Sequence, residues 1–446
     1  MHLRMRKIVD RCFSASAYAA SAAMTLLVVC ILGPIFMHGI GAYLFQETIE
    51  NRRMMLDQFG RGDSEALSKE WRQVQKNRQP IYAAIQAFEK ELDGYPAQKR
   101  RELRKPFQEV RQALNDLLGP EPGKPLPALT RKIYGQTRWD RAQLKVKDVM
   151  FEVTWDYSGE HGVKVLKPRA PLFKDTALAP VFTQIESQLA ALMQPRWRFY
   201  PQFLTDRSID AHFFGGIGAE VLGTIYLALG AMIIAVPLGV IAAIYFQEYA
   251  HDGWIVGFLR TCVNTLAGVP SIVFGLFGLA FFINTLSVSP GKSVIAGALT
   301  LSLLVLPTII RASDEAIAAV PRTYKEAALS LGAGQWRTIL TVILPAALPG
   351  ILTGIVISMG RAAGETAPII FTAAVSVGPM IMPAEIFSQA TPALSWNLYN
   401  LCTEHEAVEQ IRHVQYGMAA TLVMIVLALN VTAIFLRARV ARKLKG

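Results

Sequence analysis

The sequence is short of charged residues for its length. Of 446 residues, 18% are Asp, Glu, Lys or Arg, whereas soluble proteins carry about 25%. The mean hydropathy is +0.31. This deficit argues against a single soluble globular domain. The hydrophobic fraction of 52% argues against a disordered chain, which needs low hydrophobicity and high charge.

Cysteine and acidic residues are also scarce. The four cysteines stand at positions 12, 30, 262 and 402, and none forms a CxxC pair. A disulfide framework is therefore excluded, and a thiolate metal site is disfavoured. The 34 acidic residues are outnumbered by 45 basic ones, which gives a net charge of +11. In a membrane protein such an excess reports basic residues held at the cytoplasmic face, so we expect a lipid bilayer and no nucleic acid as partner.

Long uncharged runs are what the chain has instead. The longest, between Arg11 and Glu47, contains 35 residues, and a membrane-spanning helix needs about 20. A soluble protein with buried core helices is the alternative, but soluble cores rarely contain several runs this long. We expect six spans, at about 17–45, 217–246, 263–285, 294–312, 349–377 and 416–436.

The flanking charges predict the topology. Both termini, MHLRMRKIVDR and RARVARKLKG, are basic, which places them and the loop at about 313–348 in the cytoplasm. The first span is longer than the core of a signal peptide, which favours an uncleaved anchor. We expect four parts: a cytoplasmic N-terminus with the first span (1–46), an extracytoplasmic domain (47–213), a permease domain of five helices (214–437) and a cytoplasmic tail (438–446).

The exported segment has a helical period followed by a strand pattern. Apolar residues recur at steps of three and four over 67–92 and 103–117, which predicts two amphipathic helices, with Pro80 kinking or splitting the first. Apolar residues tend to alternate over 146–155, which predicts a strand that pairs with 163–166 through a turn at 158–162. A third helix is predicted over 176–193. Arg207, Asp210 and Phe213-Phe214 resemble a membrane re-entry edge with interfacial aromatics. The fold class is therefore mainly α, a polytopic membrane protein with a small α+β domain outside.

Three partial motifs give little evidence for a nucleotide or metal site. Gly291-Lys292-Ser293 resembles the end of a phosphate-binding loop without its first glycine, and Gly216-Ile217-Gly218 opens like a dinucleotide fingerprint without its third. We expect no nucleotide site in this chain. His405, Glu409 and His413 would share a face if 405–413 were helical, which leaves a metal site as the less favoured alternative to a solvated loop helix.

The loop at 313–348 carries a longer pattern. Glu326-Ala327-Ala328 is followed after three residues by Gly332 and later by Val342-Ile343-Leu344-Pro345. This resembles the EAA loop of ABC-importer permeases, with Val342 in place of isoleucine. Residues 327–329 predict a short helix, and the glycines at 332 and 334 are expected to terminate it. The resemblance implies that Glu326, Ala327, Ala328 and Gly332 dock into an ATP-binding subunit.

Residues 266–275 (LAGVPSIVFG) and 361–368 (RAAGETAP) resemble the A-type permeases of phosphate importers, PstA-like proteins, over about 215–437. The 47–213 segment resembles the N-terminal extension of a longer subgroup. The resemblance implies a non-catalytic subunit of the bacterial inner membrane, binding no cofactor itself. Its implied partners are a second permease subunit in a heterodimer, two subunits that hold ATP and Mg, and a periplasmic phosphate-binding protein.

Charged residues inside the fifth span are candidates for the substrate pathway. Arg361 is expected near the bilayer midplane, where a charge costs at least ~2.5–3.5 kcal/mol and indicates a functional site. Its fork of donors matches phosphate oxygens, and Glu365, one turn further, can accept a hydrogen bond from protonated phosphate. Thr366, in the same motif, is a further candidate for the substrate pathway. The alternative is a structural ion pair at i,i+4.

Two glycines precede this pair. Gly350 and Gly354 have the GxxxG spacing, which allows close helix packing. We therefore expect them at a helix–helix contact, although the motif is common.

The leading interpretation is a permease subunit of an ATP-driven phosphate importer. One alternative is an importer of another oxyanion, sulfate or molybdate. The other is a membrane sensor with 47–213 as its receptor domain. A sensor would need a cytoplasmic signalling domain, and only about ten residues follow the last span.

Overall fold

A computed structural model describes residues 2–121, 137–156, 162–251, 253–405 and 408–444. The chain forms two compact units. We call residues 41–201 and 209–214 the insert unit, and residues 1–40, 202–208 and 215–446 the span unit.

The insert unit contains helices and two antiparallel strand pairs, β1 with β4 and β2 with β3. After α1 (His2–Tyr43), its elements in chain order are β1 (Leu44–Glu47), α2 (Ile49–Phe59), α3 (Ser64–Gly94), α4 (Ala97–Leu118), α5 (Trp139–Met150), β2 (Phe151–Asp156), β3 (Val163–Pro168), a 3₁₀ turn (Ala170–Phe173), α6 (Ala179–Met193) and β4 (Arg196–Phe199).

The apolar stripes of α3 and α4 form the centre of the insert unit. All five stripe residues predicted for α4 are buried: Leu103, Phe107, Val110, Leu114 and Leu117. The ring of Phe88 on α3 packs edge-on against Phe107, with 4.9 Å between ring centroids, and against Phe173 at 5.5 Å. The two predicted amphipathic helices are confirmed, and they give this unit its own hydrophobic core.

Pro80 does not split α3, so that outcome of the predicted kink or split is wrong. A proline removes one backbone hydrogen bond and crowds the preceding turn. Pro80 lies on the exposed side of the helix, where water can reach the carbonyl oxygen that loses its partner. The apolar contacts on the opposite side keep the helix continuous.

The strand predicted from residue 146 starts later than expected. Val146 and Val149 belong to α5, which continues to Met150, and Val149 is fully buried. Their spacing of three residues fits a helical face as well as it fits the alternation that follows. The hairpin itself is confirmed, since β2 and β3 pair antiparallel with Val153 opposite Leu166. Residues 158–161 of the expected turn lie outside the described residues.

The expectation that Phe213 and Phe214 lie at the membrane interface is wrong. Their exposed fractions are 8% and 6%. A guanidinium nitrogen of Arg141, Nη1, donates to the carbonyl oxygen of Phe213 at 3.0 Å, and the ring of Phe214 lies 6.1 Å from that of Phe59. Both aromatic side chains therefore belong to the interior of the insert unit.

The span unit is almost entirely helical. Besides most of α1, its helices are α7 (Gly218–Ile244), α8 (Trp254–Ala267), α9 (Ser271–Gly278), α10 (Val294–Ala318), α11 (Arg322–Ser330), α12 (Gln335–Thr338), α13 (Leu344–Gly364), α14 (Ala367–Thr372), α15 (Leu394–Thr403) and α16 (Arg412–Leu444), with π-helical segments at Tyr245–Tyr249, Leu279–Thr285 and Ile339–Ile343. The remaining short elements are β5 (Ser208–Ile209), β6 (Phe214–Gly215) and 3₁₀ turns at Pro201–Leu204 and Pro383–Glu385.

The helices of the span unit have the length and composition of membrane spans. Within the described residues, five helical stretches qualify, and a sixth qualifies if α8 and the π-extended α9 form one broken span. The mainly helical, polytopic fold is therefore confirmed. Apolar residues of α7 and α10 form much of the packed interior: Leu227, Ala231 and Ala235 with Leu301 and Val305.

Two spans differ in shape from the prediction. The third is not one helix over 263–285, because it breaks after Ala267 and turns by 101° before Ser271. Pro270 disfavours helical geometry at the residue before it, which explains the break. The fifth is not one helix over 349–377. It runs from Gln335 to Gly364 and stops there.

The earlier end of the fifth helix changes the setting of Arg361. This residue lies in the last turn of α13 rather than midway along a helix. Glu365 has extended backbone angles, with ψ at 133°, and the short α14 follows with Pro368 in its first turn. The candidate pathway residues therefore stand at a helix break.

Candidate transport site and coupling surface

Arg361 and Glu365 face each other across the end of α13. The Nε of Arg361 donates to Oε1 of Glu365 at 3.0 Å, and the backbone N–H of Glu365 donates to the carbonyl oxygen of Arg361 at 3.1 Å. The side chain of Arg361 is 43% exposed and that of Glu365 is 19% exposed. The structure thus brings the two predicted residues together and leaves the guanidinium partly accessible in the single chain. Thr366 is half-buried and precedes α14.

A hydrogen bond from α15 stabilises the backbone at the helix break. The hydroxyl of Ser395 donates to the carbonyl oxygen of Glu365 at 3.0 Å. α15 is in turn fixed to α7, because the backbone N–H of Leu394 donates to Oγ1 of Thr224 at 2.9 Å. The position of Glu365 therefore depends on two helices that lie far from it in the sequence.

A buried polar contact reinforces this support. Nδ2 of Asn397 donates to Oε1 of Glu220 at 2.9 Å, and both residues are 1% exposed. Glu220 lies in the first turn of α7, where the helix dipole favours a carboxylate. Sequence reasoning missed this pair, since its partners are separated by 177 positions and Glu220 only marked the edge of an uncharged run.

The two glycines of the GxxxG spacing lie against α10. A Cβ atom at Gly350 would come within 2.6 Å of Cβ of Ala316, and one at Gly354 within 2.3 Å of Cβ of Ala312. Real Cβ atoms do not approach so closely. α10 and α13 therefore touch along a line of small residues, and this contact fixes the direction in which α13 reaches the helix break.

The predicted short helix of the EAA motif is α11. Glu326, Ala327 and Ala328 lie within it, and Glu326 is exposed. The helix ends with the hydrogen-bond pattern of a Schellman motif, in which the N–H of Gly332 donates to the carbonyl oxygen of Leu329 at 2.9 Å and the N–H of Ala333 donates to that of Ala328 at 3.1 Å. Gly332 has a φ of +84°, a left-handed conformation that favours glycine.

α11 is held against the π-helical end of α7 through Glu248. Nζ of Lys325 forms an ion pair with Oε2 of Glu248, whose side chain is 9% exposed. Nε2 of Gln335, in α12, donates to the backbone oxygen of Glu248 at 2.7 Å. Glu248, in the π-helical segment that follows α7, therefore contacts both α11 and α12.

The outer side of this loop is apolar. Large hydrophobic side chains are exposed there, and Leu331 reaches 90%: Tyr324, Leu329, Leu331 and Trp336. Exposed apolar groups grouped in this way mark protein interaction sites. The helix with its apolar side chains has the form of a peg that a second protein can cover.

The weaker motifs find ordinary explanations in the described residues. Ser293 of the phosphate-loop-like triplet caps α10, since its Oγ accepts the N–H of Ala296 at 3.2 Å. Residues 408–411 form turns and α16 begins only at Arg412, so the helix that would align His405, Glu409 and His413 is not present there. Residues 406 and 407 lie outside the described residues. In the described part of the chain no group of three or more His, Cys, Asp or Glu side chains could hold a metal ion.

The insert unit contains a charged cavity of about 260 Å³. Its walls include Arg52, Arg196 and Arg198, and each contacts a carboxylate: Arg196 pairs with Glu70 at 2.7 Å, Arg198 pairs with Glu47 at 2.7 Å, and Arg52 contacts both acids. Burial lowers the pKa of Arg52 from its ordinary value, and the two carboxylates oppose that change. Acid and base alternate around this cavity, which makes it a poor match for a free oxyanion.

Comparison with known proteins places the span unit in a family. Residues 235–446 match the model of the family described as "Binding-protein-dependent transport system inner membrane component". The probable ABC transporter permease protein YqgI of Bacillus subtilis is 34% identical over 253 residues, which cover 54% of this chain and 85% of that relative. The phosphate transport system permease protein PstA 1 of Mycobacterium tuberculosis H37Rv is 36% identical over 229 residues, which cover 51% and 72%.

Among solved structures, the inward-facing MetNI methionine ABC transporter aligns with a TM-score of 0.39 and 17% identity, covering 50% of this chain and 94% of that one. An overlap of this size is too limited to establish a shared fold, so the family assignment depends on the sequence matches. The chain belongs to the inner membrane components of binding-protein-dependent transport systems, and it is the non-catalytic permease subunit of an ABC importer, whose ATP is bound by a partner subunit.

Proposed function

We propose that this chain is the permease subunit of an ATP-driven importer of inorganic phosphate. It forms half of the translocation pathway, and a second permease subunit forms the other half. The observation that carries the proposal is the partly exposed Arg361–Glu365 pair at the end of a span helix, in a chain whose relatives include proteins named PstA.

The chemistry of the pair suits phosphate. The contact with Glu365 uses Nε of Arg361, while a guanidinium carries five donors in a fork that matches an oxyanion. Glu365 can accept a hydrogen bond from the protonated oxygen of hydrogen phosphate. Sulfate at neutral pH has no proton to donate, so the same carboxylate would repel it. The pair thus offers a means of discrimination in addition to attraction.

The remaining parts of the proposal concern assembly. Both termini and the EAA loop lie in the cytoplasm, where α11 and its apolar side chains dock into one of two ATP-binding subunits that hold ATP and Mg. The insert unit lies outside, where a periplasmic phosphate-binding protein delivers the substrate. Basic residues at both ends of the chain support this orientation.

Uptake into membrane vesicles tests the substrate. Vesicles containing the complete transporter are supplied with labelled phosphate, with sulfate or molybdate in excess as competitors. We expect ATP-dependent uptake that unlabelled phosphate suppresses and the other two oxyanions leave unchanged. If sulfate or molybdate suppressed the uptake at a lower concentration than unlabelled phosphate does, the result would favour an importer of that oxyanion.

A further inference from the structure

The sheet formed by β1 and β4 has one exposed apolar side. In this antiparallel pair Leu44 stands opposite Phe199 and Gln46 stands opposite Trp197, so these four side chains share one side of the sheet. Trp197 and Phe199 are each 69% exposed, and Leu44 is 45% exposed. We call Leu44, Trp197 and Phe199 the aromatic face.

On the other side of the same sheet, the two residues of β1 are buried. Phe45 and Glu47 are 6% and 7% exposed. The guanidinium carbon of Arg138 lies 4.1 Å from the centroid of the Phe45 ring, and Arg198 pairs with Glu47. The sheet is therefore fixed to the insert unit by one side, and the aromatic face is the side left uncovered in the single chain.

The sheet is joined directly to a membrane-spanning helix. β1 begins at Leu44, the residue after the last residue of α1. The junction is held by two hydrogen bonds: the N–H of Tyr200 donates to the carbonyl oxygen of Tyr43 at 2.7 Å, and Nη2 of Arg138 donates to that of Gly41 at 2.7 Å. No linker separates the strand from the helix.

The length of α1 places this junction at the surface of the bilayer. Its apolar stretch, Asp10–Tyr43, has no buried residue in its most apolar window. From Arg11, the last Lys or Arg before the uncharged run, to Leu44 the helix rises about 50 Å at 1.5 Å per residue. A bilayer with its headgroups is about 40–45 Å thick, and a helix tilt near 20° lengthens the path slightly. Leu44 therefore reaches the outer headgroup level.

We propose that the aromatic face of the β1/β4 sheet lies in the headgroup region of the bilayer, where it anchors the insert unit to lipid. Tryptophan collects at this depth, because it combines a large apolar surface with a polar N–H. Phe199 and Leu44, on the same side of the sheet, add apolar area beside Trp197. The hairpin β2/β3 also exposes apolar side chains, with Trp155 at 54% and Leu166 at 54%. It is not continuous with a span, so we expect it to lie in water and use it as the comparison. The proposal depends on α1 spanning the membrane and does not depend on the identity of the substrate.

Spin labelling of the full-length chain tests this placement. The four native cysteines are replaced by alanine, and Trp197→Cys, Phe199→Cys and, as the matched control, Trp155→Cys each carry a nitroxide in phosphatidylcholine nanodiscs. Collision rates with oxygen, which enters lipid, and with a water-soluble nickel chelate report the surroundings. We expect the ratio of oxygen to nickel collisions at 197 and 199 to exceed that at 155 several-fold.

Two results would overturn the proposal. Equal ratios at 197 and 155 would place the aromatic face in water. Weak collisions with both reagents at 197 and 199 would indicate that protein, such as a second copy of the chain, covers the face.

A second measurement uses a milder change. Lipids brominated near the headgroup should quench part of the tryptophan fluorescence of the wild-type chain in nanodiscs. Trp197→Phe should reduce the intensity that is quenched, whereas Trp155→Phe should leave that intensity unchanged. An unchanged quenched intensity in the Trp197→Phe variant would contradict the placement.

Discussion

Lys325, in the helix of the EAA loop, forms an ion pair with Glu248 at the π-helical end of α7. The backbone oxygen of Glu248 also accepts a hydrogen bond from the side chain of Gln335. We propose that movement of the loop reaches α7 through this residue and through the apolar packing of Ile244 in one cluster with Ile339. In turn, α7 packs along α10 in the interior of the span unit. In this proposal, the pair connects the loop expected to dock on the ATPase with the spans.

Charge reversal tests this route. Lys325→Glu should place two carboxylates together and lower the phosphate imported per ATP hydrolysed in proteoliposomes. Lys325→Glu combined with Glu248→Lys should restore part of the loss. Arg322→Glu, which reverses an exposed charge in the first turn of the same helix, is the control and should have a smaller effect. A double variant as defective as either single one would contradict the role of the pair.

Gly332 tests the docking loop itself. Gly332→Asp puts a charged side chain at a φ of +84°, where the left-handed conformation costs roughly 1–2 kcal/mol for most residues with a Cβ and less for Asp. We expect transport to be lost while assembly with the ATPase, measured by co-purification, is partly retained. Gly334 has an ordinary φ of −71°, so Gly334→Asp introduces the same charge without that strain and should be milder. Normal transport by Gly332→Asp would show that the coupling assignment is wrong.

Arg78 tests the stability of the insert unit. It is 2% exposed, and its Nη1 pairs with Oε1 of Glu50 at 2.7 Å, while its Nε donates to the carbonyl oxygen of Leu192. Arg78→Met would leave a buried carboxylate without this cation, and breaking a buried pair costs about 3–5 kcal/mol. In urea unfolding of a fragment covering 44–214, we expect a loss of this size. Arg104→Met, at an exposed position of α4, should change the unfolding free energy little, and equal effects of the two variants would contradict the assignment.

The same fragment separates the transporter from the sensor interpretation. Since Arg52, Arg196 and Arg198 in the wall of its charged cavity contact carboxylates, we expect no heat of binding when phosphate is titrated into it. Micromolar binding would revive a receptor role for this unit.

What the sequence predicted well was local. The stripe from Leu103 to Leu117 repeats with the period of a helix, and the turn at Gly332 follows from a glycine placed directly after a short helix. Such features depend on neighbours within a few residues. The sequence alone could therefore specify both amphipathic helices and the short helix α11.

What it missed depends on distant partners. Each strand of the β1/β4 pair has four residues, and Glu47 pairs with Arg198, 151 positions away. No local pattern identifies such a pairing. Likewise, the burial of Phe213 depends on Arg141, and the break in the third span depends on Pro270, within a run that is uniformly apolar in composition.

The most direct test of the transport site is phosphate uptake by variants of Arg361 and Glu365. Proteoliposomes contain the assembled transporter with Arg361→Gln alone or with Arg361→Gln and Glu365→Gln together. Arg412→Gln with Glu409→Gln removes another exposed ion pair of the span unit and serves as the control that should transport normally. We predict that both the single and the double variant at 361 and 365 assemble and fail to import phosphate, because the anion loses its cation. Restored uptake in the double variant would contradict the account and reduce the pair to a structural role.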